Sequence, residues 1–128
     1  MKVLLDTHAF LWALIDRDKP SPNARQLLEG DATDVMVSAA SAWGIASKFR
    51  LGKLAGAKRV IADYAGALRG LQATPLAVTS GHALKAGSWK VAHRDPFDRM
   101  LAAQSALEKL ALISCDPAME QFGIEVIW

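Results

Sequence analysis

The sequence predicts an α/β layer fold, with a central, mainly parallel sheet of four to five strands flanked by helices. Three observations lead there. Short apolar runs alternate along the chain with longer segments of helical spacing, the pattern of strands joined by helical crossovers. The runs at Val3-Leu4-Leu5 and Val35-Met36-Val37 are continuously apolar, as strands covered on both faces are. Helix-start signals, Ser21-Pro22, Ser38 and Asp95-Pro96, stand between the periodic segments.

Each element has its own reason. Residues 3–5 form the first strand, and Asp6-Thr7 ends it. A helix follows from about His8 to Ile15; with Phe10, Leu11, Trp12, Leu14 and Ile15 it is apolar nearly all round and must be covered on more than one side. Residues 16–20 are a polar loop. Ser21 caps a second helix with Pro22 at its first position, and Gly30 ends it. Residues 35–37 form the second strand. Ser38 then opens a helix through Trp43, Ile45, Ala46 and Phe49 that closes at Gly52. Val60, Ile61, Tyr64, Leu68 and Leu71 recur at helical spacing and predict one long amphipathic helix. Pro75 to Val78 is a third strand, Thr79 or Ser80 caps a short helix carrying His82 and Leu84, and residues 88–94 are irregular. Asp95-Pro96 starts a helix to about Lys109. Leu110 to Ser114 and Ile124 to Ile127 complete the sheet.

The 128 residues fit one domain, 1–128, and 52% apolar content is enough for a real core. A net charge of +2 is too weakly basic to argue for nucleic acid by itself. The single cysteine, Cys115, excludes an intrachain disulfide and suits a reducing cytoplasm. No secretory leader and no membrane-spanning run is visible, so a cytoplasmic location is expected. There is no glycine-rich phosphate loop and no Gly-x-Ser-x-Gly. His8, His82 and His93 lack zinc spacing.

The chemistry lies in Asp6, Asp98 and Asp116. In a parallel sheet the strands end at one edge, and the following helices start there. Asp6 ends the first strand. Asp98 lies in the first turn of the helix opening at Asp95. That helix descends roughly 16–18 Å at 1.5 Å per residue, and the next strand climbs back about as far at ~3.3 Å per residue. Asp116 therefore returns to the edge that Asp98 left, where ligands of open α/β sheets bind. Each aspartate alone is a reasonable helix cap, and Asp95 is read only as one. Three acids converging at one edge repel one another unless a divalent cation neutralises them.

These residues resemble a PIN domain, specifically the VapC-type toxin ribonucleases. The resemblance rests on Met-Lys-Val-Leu-Leu-Asp-Thr-His-Ala at residues 1–9 and Val-Ser-Ala-Ala-Ser-Ala-Trp-Gly-Ile-Ala at 37–46. It extends to Arg-Leu-Gly-Lys-Leu from Arg50, His-Arg-Asp-Pro-Phe-Asp-Arg-Met-Leu-Ala-Ala-Gln from His93, and Ser114-Cys115-Asp116. It covers nearly the whole chain in order and implies a PIN-like three-layer fold. It also implies a toxin of a type II toxin–antitoxin pair, an endoribonuclease that hydrolyses RNA phosphodiesters with Mg²⁺ or Mn²⁺. Carried across, the acidic positions are Asp6, Gly44, Asp98 and Asp116. The family has Glu where this chain has Gly44, which brings no oxygen ligand.

Three accounts of Gly44 stand: an inactivating change, selected or engineered because an active toxin kills its host; decay of an orphan toxin; or a tolerated loss in which water replaces the ligand. The alternative function is accordingly a catalytically silent PIN protein that binds antitoxin or RNA. The resemblance further implies Asp6 and Asp116 as direct ligands, Asp98 as direct or water-mediated, and Thr7 or Ser114 as supporting hydroxyls. Lys48, one helical turn beyond Gly44, and Arg50, Lys53, Arg94 and Arg99 are candidates for holding the RNA backbone. It implies a cognate antitoxin whose peptide lies in an apolar groove, expected near Phe10, Leu11, Trp12 and Leu14, and a homodimer within a larger complex.

Overall fold

The computed structural model describes residues 1–128. Five strands form one sheet in the order β3-β2-β1-β4-β5, with every pair parallel. They are β1 (Lys2–Leu5), β2 (Asp34–Ser38), β3 (Thr74–Leu76), β4 (Ala111–Ile113) and β5 (Val126–Ile127). The helices are α1 (Thr7–Ile15), α2 (Pro22–Glu29), α3 (Ala39–Arg50), α4 (Lys58–Ala62), α5 (Tyr64–Gly70), α6 (Ser80–Ser88) and α7 (Pro96–Glu108). Short 3₁₀ segments lie at Ala55–Ala57 and Pro117–Phe122. No helix is long and apolar enough to cross a membrane.

The continuous apolar strands are read correctly as two-sided. Val3, Leu5, Val35, Val37, Ala111 and Ile113 face a core built with α1 to α5. Leu4 and Leu112 face the opposite core, with Leu101 and Ala102 of α7 and Met119 and Phe122 of the second 3₁₀ segment. The period-two alternation within each strand distributes these residues, and the result is three layers. The strand order reverses direction between β1 and β4, so the crevice at their carboxyl ends is the topological switch point of the sheet.

Two expectations are corrected. The periodic run from Val60 to Leu71 is not one helix. Asp63 breaks it at φ −140°, ψ 69°, and its carboxylate accepts from Gly66 N–H at 3.0 Å, starting α5 afresh. Aspartate is a preferred N-cap, and here the cap overrides the apolar spacing. The first helix does not offer its whole apolar surface as a groove. Phe10 and Leu11 are 0% and 3% exposed within the core, and Phe10 packs edge-on against Tyr64. Trp12 and Leu14 are partly covered, Trp12 by Trp128 with ring centroids 5.7 Å apart.

Candidate active site

Four stretches of chain meet at the switch point. One cavity of about 110 Å³ is lined by Asp6, Thr7, His8, Gly44, Lys48, Asp95, Phe97, Asp98, Cys115 and Asp116. The three predicted acids are therefore brought together, with Asp95 as a fourth. Asp6 follows β1 and caps α1, its Oδ1 accepting from Ala9 N–H at 2.7 Å. Asp116 follows β4 and caps the second 3₁₀ segment, its Oδ1 accepting from Ala118 N–H at 2.9 Å. Asp98 lies in the first turn of α7, which Asp95 caps through Phe97 and Asp98 N–H at 2.8 and 3.1 Å. The capping roles considered for Asp6 and Asp116 are thus real, and they position the carboxylates at the shared edge. Each cap takes one oxygen.

The electrostatics follow from this convergence. Burial pushes the Asp6 carboxyl above the ordinary range, against the Ser114 hydroxyl, the Ala9 N–H and His8, which lower it; Asp98 adds a smaller upward push. Asp98 is likewise raised, first by burial and then by the charges of Asp95 and Asp116, with His93 opposing. The exposed Cys115 thiol is raised by desolvation and by the nearby Asp6 and Asp116. No lysine or arginine is ion-paired with any of these carboxylates; the two side-chain pairs within 4.0 Å are His82–Glu108 and His93–Asp98.

The donor chemistry fits a hard divalent cation, because carboxylate oxygens are what Mg²⁺ and Mn²⁺ take. The spacing is open: no three His, Cys, Asp or Glu side chains stand close enough together to chelate an ion as they are placed.

The supporting residues divide. Ser114 is buried, and its Oγ accepts from Asp116 N–H at 3.1 Å while favouring the Asp6 charge, which links two of the acids. Thr7 is buried on the cavity wall, its Oγ1 3.5 Å from Ser41 Oγ. Lys48 reaches the cavity wall from α3. Arg50 and Lys53 are exposed farther along and do not line it.

Arg99 has work within the chain itself. Its guanidinium is spent on backbone carbonyls: Nε donates to Ala86 at 2.7 Å, Nη1 to Val91 at 2.7 Å and to His93 at 2.9 Å, and Nη2 to Trp89. A surface charge in sequence is a loop clamp in space, with little left for a phosphate.

Gly44 is buried in α3 on the cavity wall. A Cβ built there would meet Phe97 Cδ1 at 3.3 Å and Cγ at 3.4 Å, so the ring would have to yield by a few tenths of an ångström. Phe97 in turn packs edge-on against the exposed Trp43, with centroids 4.9 Å apart. Phe97 lines both the acidic cavity and an apolar cleft of about 390 Å³ between α3, α6 and α7, and Trp43 lines the cleft.

His93 was missed as a site residue. Its Nε2 lies 3.0 Å from Asp98 Oδ2. Its signal in the sequence is a histidine just ahead of an Asp-Pro helix start.

An all-parallel α/β domain with acids gathered at its switch point carries them where ligands of open α/β sheets bind. The comparisons refine this: the PIN domain family matches residues 3–125, and the chain belongs to that family. No curated protein matches the sequence significantly. Among solved structures, the VapBC2 complex of Rickettsia felis bound to a DNA fragment from their promoter aligns with TM-score 0.68 at 10% identity, covering 99% of this chain and 98% of the other. FitAcB from Neisseria gonorrhoeae aligns at 0.56 with 19% identity, covering 100% and 97%. A toxin–antitoxin complex from Klebsiella pneumoniae aligns at 0.53 with 15% identity, covering 98% and 96%. At these identities the likeness is one of fold.

Proposed function

We propose that this chain is the toxin of a toxin–antitoxin pair, an Mg²⁺- or Mn²⁺-dependent endoribonuclease whose activity is lowered by Gly44. The observation that carries the reading is the gathering of Asp6, Asp98 and Asp116 around one small cavity with no Lys or Arg ion-paired to them. Family membership supports nuclease chemistry, and the likeness to a toxin–antitoxin complex from Klebsiella pneumoniae supports the pairing. Asp6, Asp98 and Asp116 would hold the ion. When bound, the ion supplies an activated water and neutralises charge building on the phosphate. Ser114 steers the carboxylates of Asp6 and Asp116, and Lys48 neutralises a phosphate entering from the α3 side.

The test is cleavage of a labelled RNA by antitoxin-free protein, with and without Mg²⁺. Gly44→Glu is expected to raise Mg²⁺-dependent cutting at least about tenfold, the scale of an added ligand or its support. Equal cutting by both forms removes the role given to position 44.

A second reading, a silent PIN protein that binds without cutting, is favoured by one observation: Phe97 lies against the spot where a side chain at position 44 would begin. RNA bound but left intact by the wild type and by Gly44→Glu would select it. In either reading the apolar cleft beside Trp43, Ala83, Ala86 and Met100 offers an antitoxin peptide more open apolar surface than α1, whose Phe10 and Leu11 are buried.

A further inference from the structure

We propose that Arg99 and His93 form a positioning relay that fixes the Asp98 carboxylate for metal binding. The inference rests on the reading of Asp98 as a metal-site residue and extends it to two side chains outside the acid set.

The relay begins in the segment between α6 and α7, residues 89–95, which has no helix or strand of its own. Its path is set by two consecutive tight turns, Val91 N–H to Trp89 C=O at 2.9 Å and His93 N–H to Val91 C=O at 2.8 Å. Such turns are weak by themselves. The Arg99 guanidinium gathers the carbonyls of Trp89, Val91 and His93, together with Ala86 at the end of α6. A planar fork of five donors can do this; a lysine ammonium, with three donors at one point, cannot reach four separated carbonyls. Arg99 follows Asp98 directly in the first turn of α7, so the clamp and the carboxylate share one rigid frame.

His93 hangs from the clamped segment. Its carbonyl is held by Arg99, and its ring lies edge-on against Phe122, with centroids 5.6 Å apart. The side chain is 15% exposed, against 31% for Asp98. An ionised carboxylate only accepts hydrogen bonds, so Nε2 must carry the proton that bridges the 3.0 Å to Asp98 Oδ2. That bond occupies one oxygen and fixes the carboxylate's rotation, leaving Oδ1 as the oxygen for a cation. The histidine also offsets the repulsion from Asp95 and Asp116. Partners of this kind commonly change metal affinity by about 10–100-fold.

The test uses the full chain and Mn²⁺ alone, followed by calorimetric titration, with metal-free melting curves to confirm folding. Asp98→Asn is expected to weaken Mn²⁺ binding strongly. His93→Ala should weaken it about 10–100-fold, and His93→Gln, whose amide N–H replaces the lost donor, should recover most of that loss. Arg99→Lys should weaken it despite the retained charge. Should a variant fail to fold, ¹⁵N NMR of the wild-type imidazoles gives a metal-free reading: His93 must show the Nε2–H tautomer at neutral pH. The opposite tautomer overturns the relay. Unchanged Mn²⁺ affinity in folded His93→Ala, alongside a loss in Asp98→Asn, also overturns it while leaving the metal reading intact. Unchanged affinity in Asp98→Asn overturns both.

Discussion

At Asp6 and Asp98 the fold holds carboxylates where burial and neighbouring acids disfavour their charge. A carboxyl whose folded-state pKa lies above its unfolded value of about 3.9 holds its proton more tightly when folded. Its stabilising contribution is complete below the unfolded pKa and is lost as pH rises through the folded pKa. These two groups therefore favour the metal-free fold as pH falls from neutral toward about 4, the reverse of a salt-bridged acid. In chelator, Asp98→Asn should melt above wild type at pH 7, and the gap should close near pH 4; thermal melts across that range decide it. The acids themselves were legible in sequence, because strand ends and helix starts can be placed from apolar runs and Asp-Pro signals. His93 and Arg99 were not. Their roles depend on the path of an irregular segment, and no periodicity encodes which carbonyls will converge on a guanidinium.

At the scale of elements, the break at Asp63 shows how a local cap outranks a hydrophobic period. Val60 and Leu68 both reach the core, as their spacing predicts, yet two helices rather than one deliver them. Asp63→Ala removes the bond to Gly66 N–H and should cost about 1 kcal/mol, read as a lower midpoint in urea with an unchanged slope. A slope change would mean that the α4–α5 corner unfolds separately. The first helix was legible only in part. Its all-round apolar character correctly required cover on several sides, but that cover comes from within the chain. Tyr64 lies against Phe10 and Trp128 against Trp12, contacts between residues 54 and 116 positions apart (64 − 10 and 128 − 12) that no local pattern announces.

For the whole molecule, the strand order matters most. Five parallel strands reversing between β1 and β4 put residues 6, 98 and 116 around one crevice, and this was readable because alternating strands and helices permit few topologies. A ligand bound there ties β1, β4 and α7 together and should stabilise the fold as a unit. Mn²⁺ at a hundredfold excess over its Kd should add about 2.7 kcal/mol, seen as a concentration-dependent rise in Tm that Asp6→Asn abolishes. A Tm rise of equal size in Asp6→Asn would place the ion elsewhere. The two margins of the sheet carry a different consequence. One is a three-residue strand containing Pro75, and the other is a strand of only two residues. Neither presents the long run of open amides that an incoming extended chain needs in order to zip on. Recognition of another macromolecule is thereby steered away from strand addition and onto helix-lined surfaces, and the same bluntness keeps copies of this protein from stacking border to border into fibres.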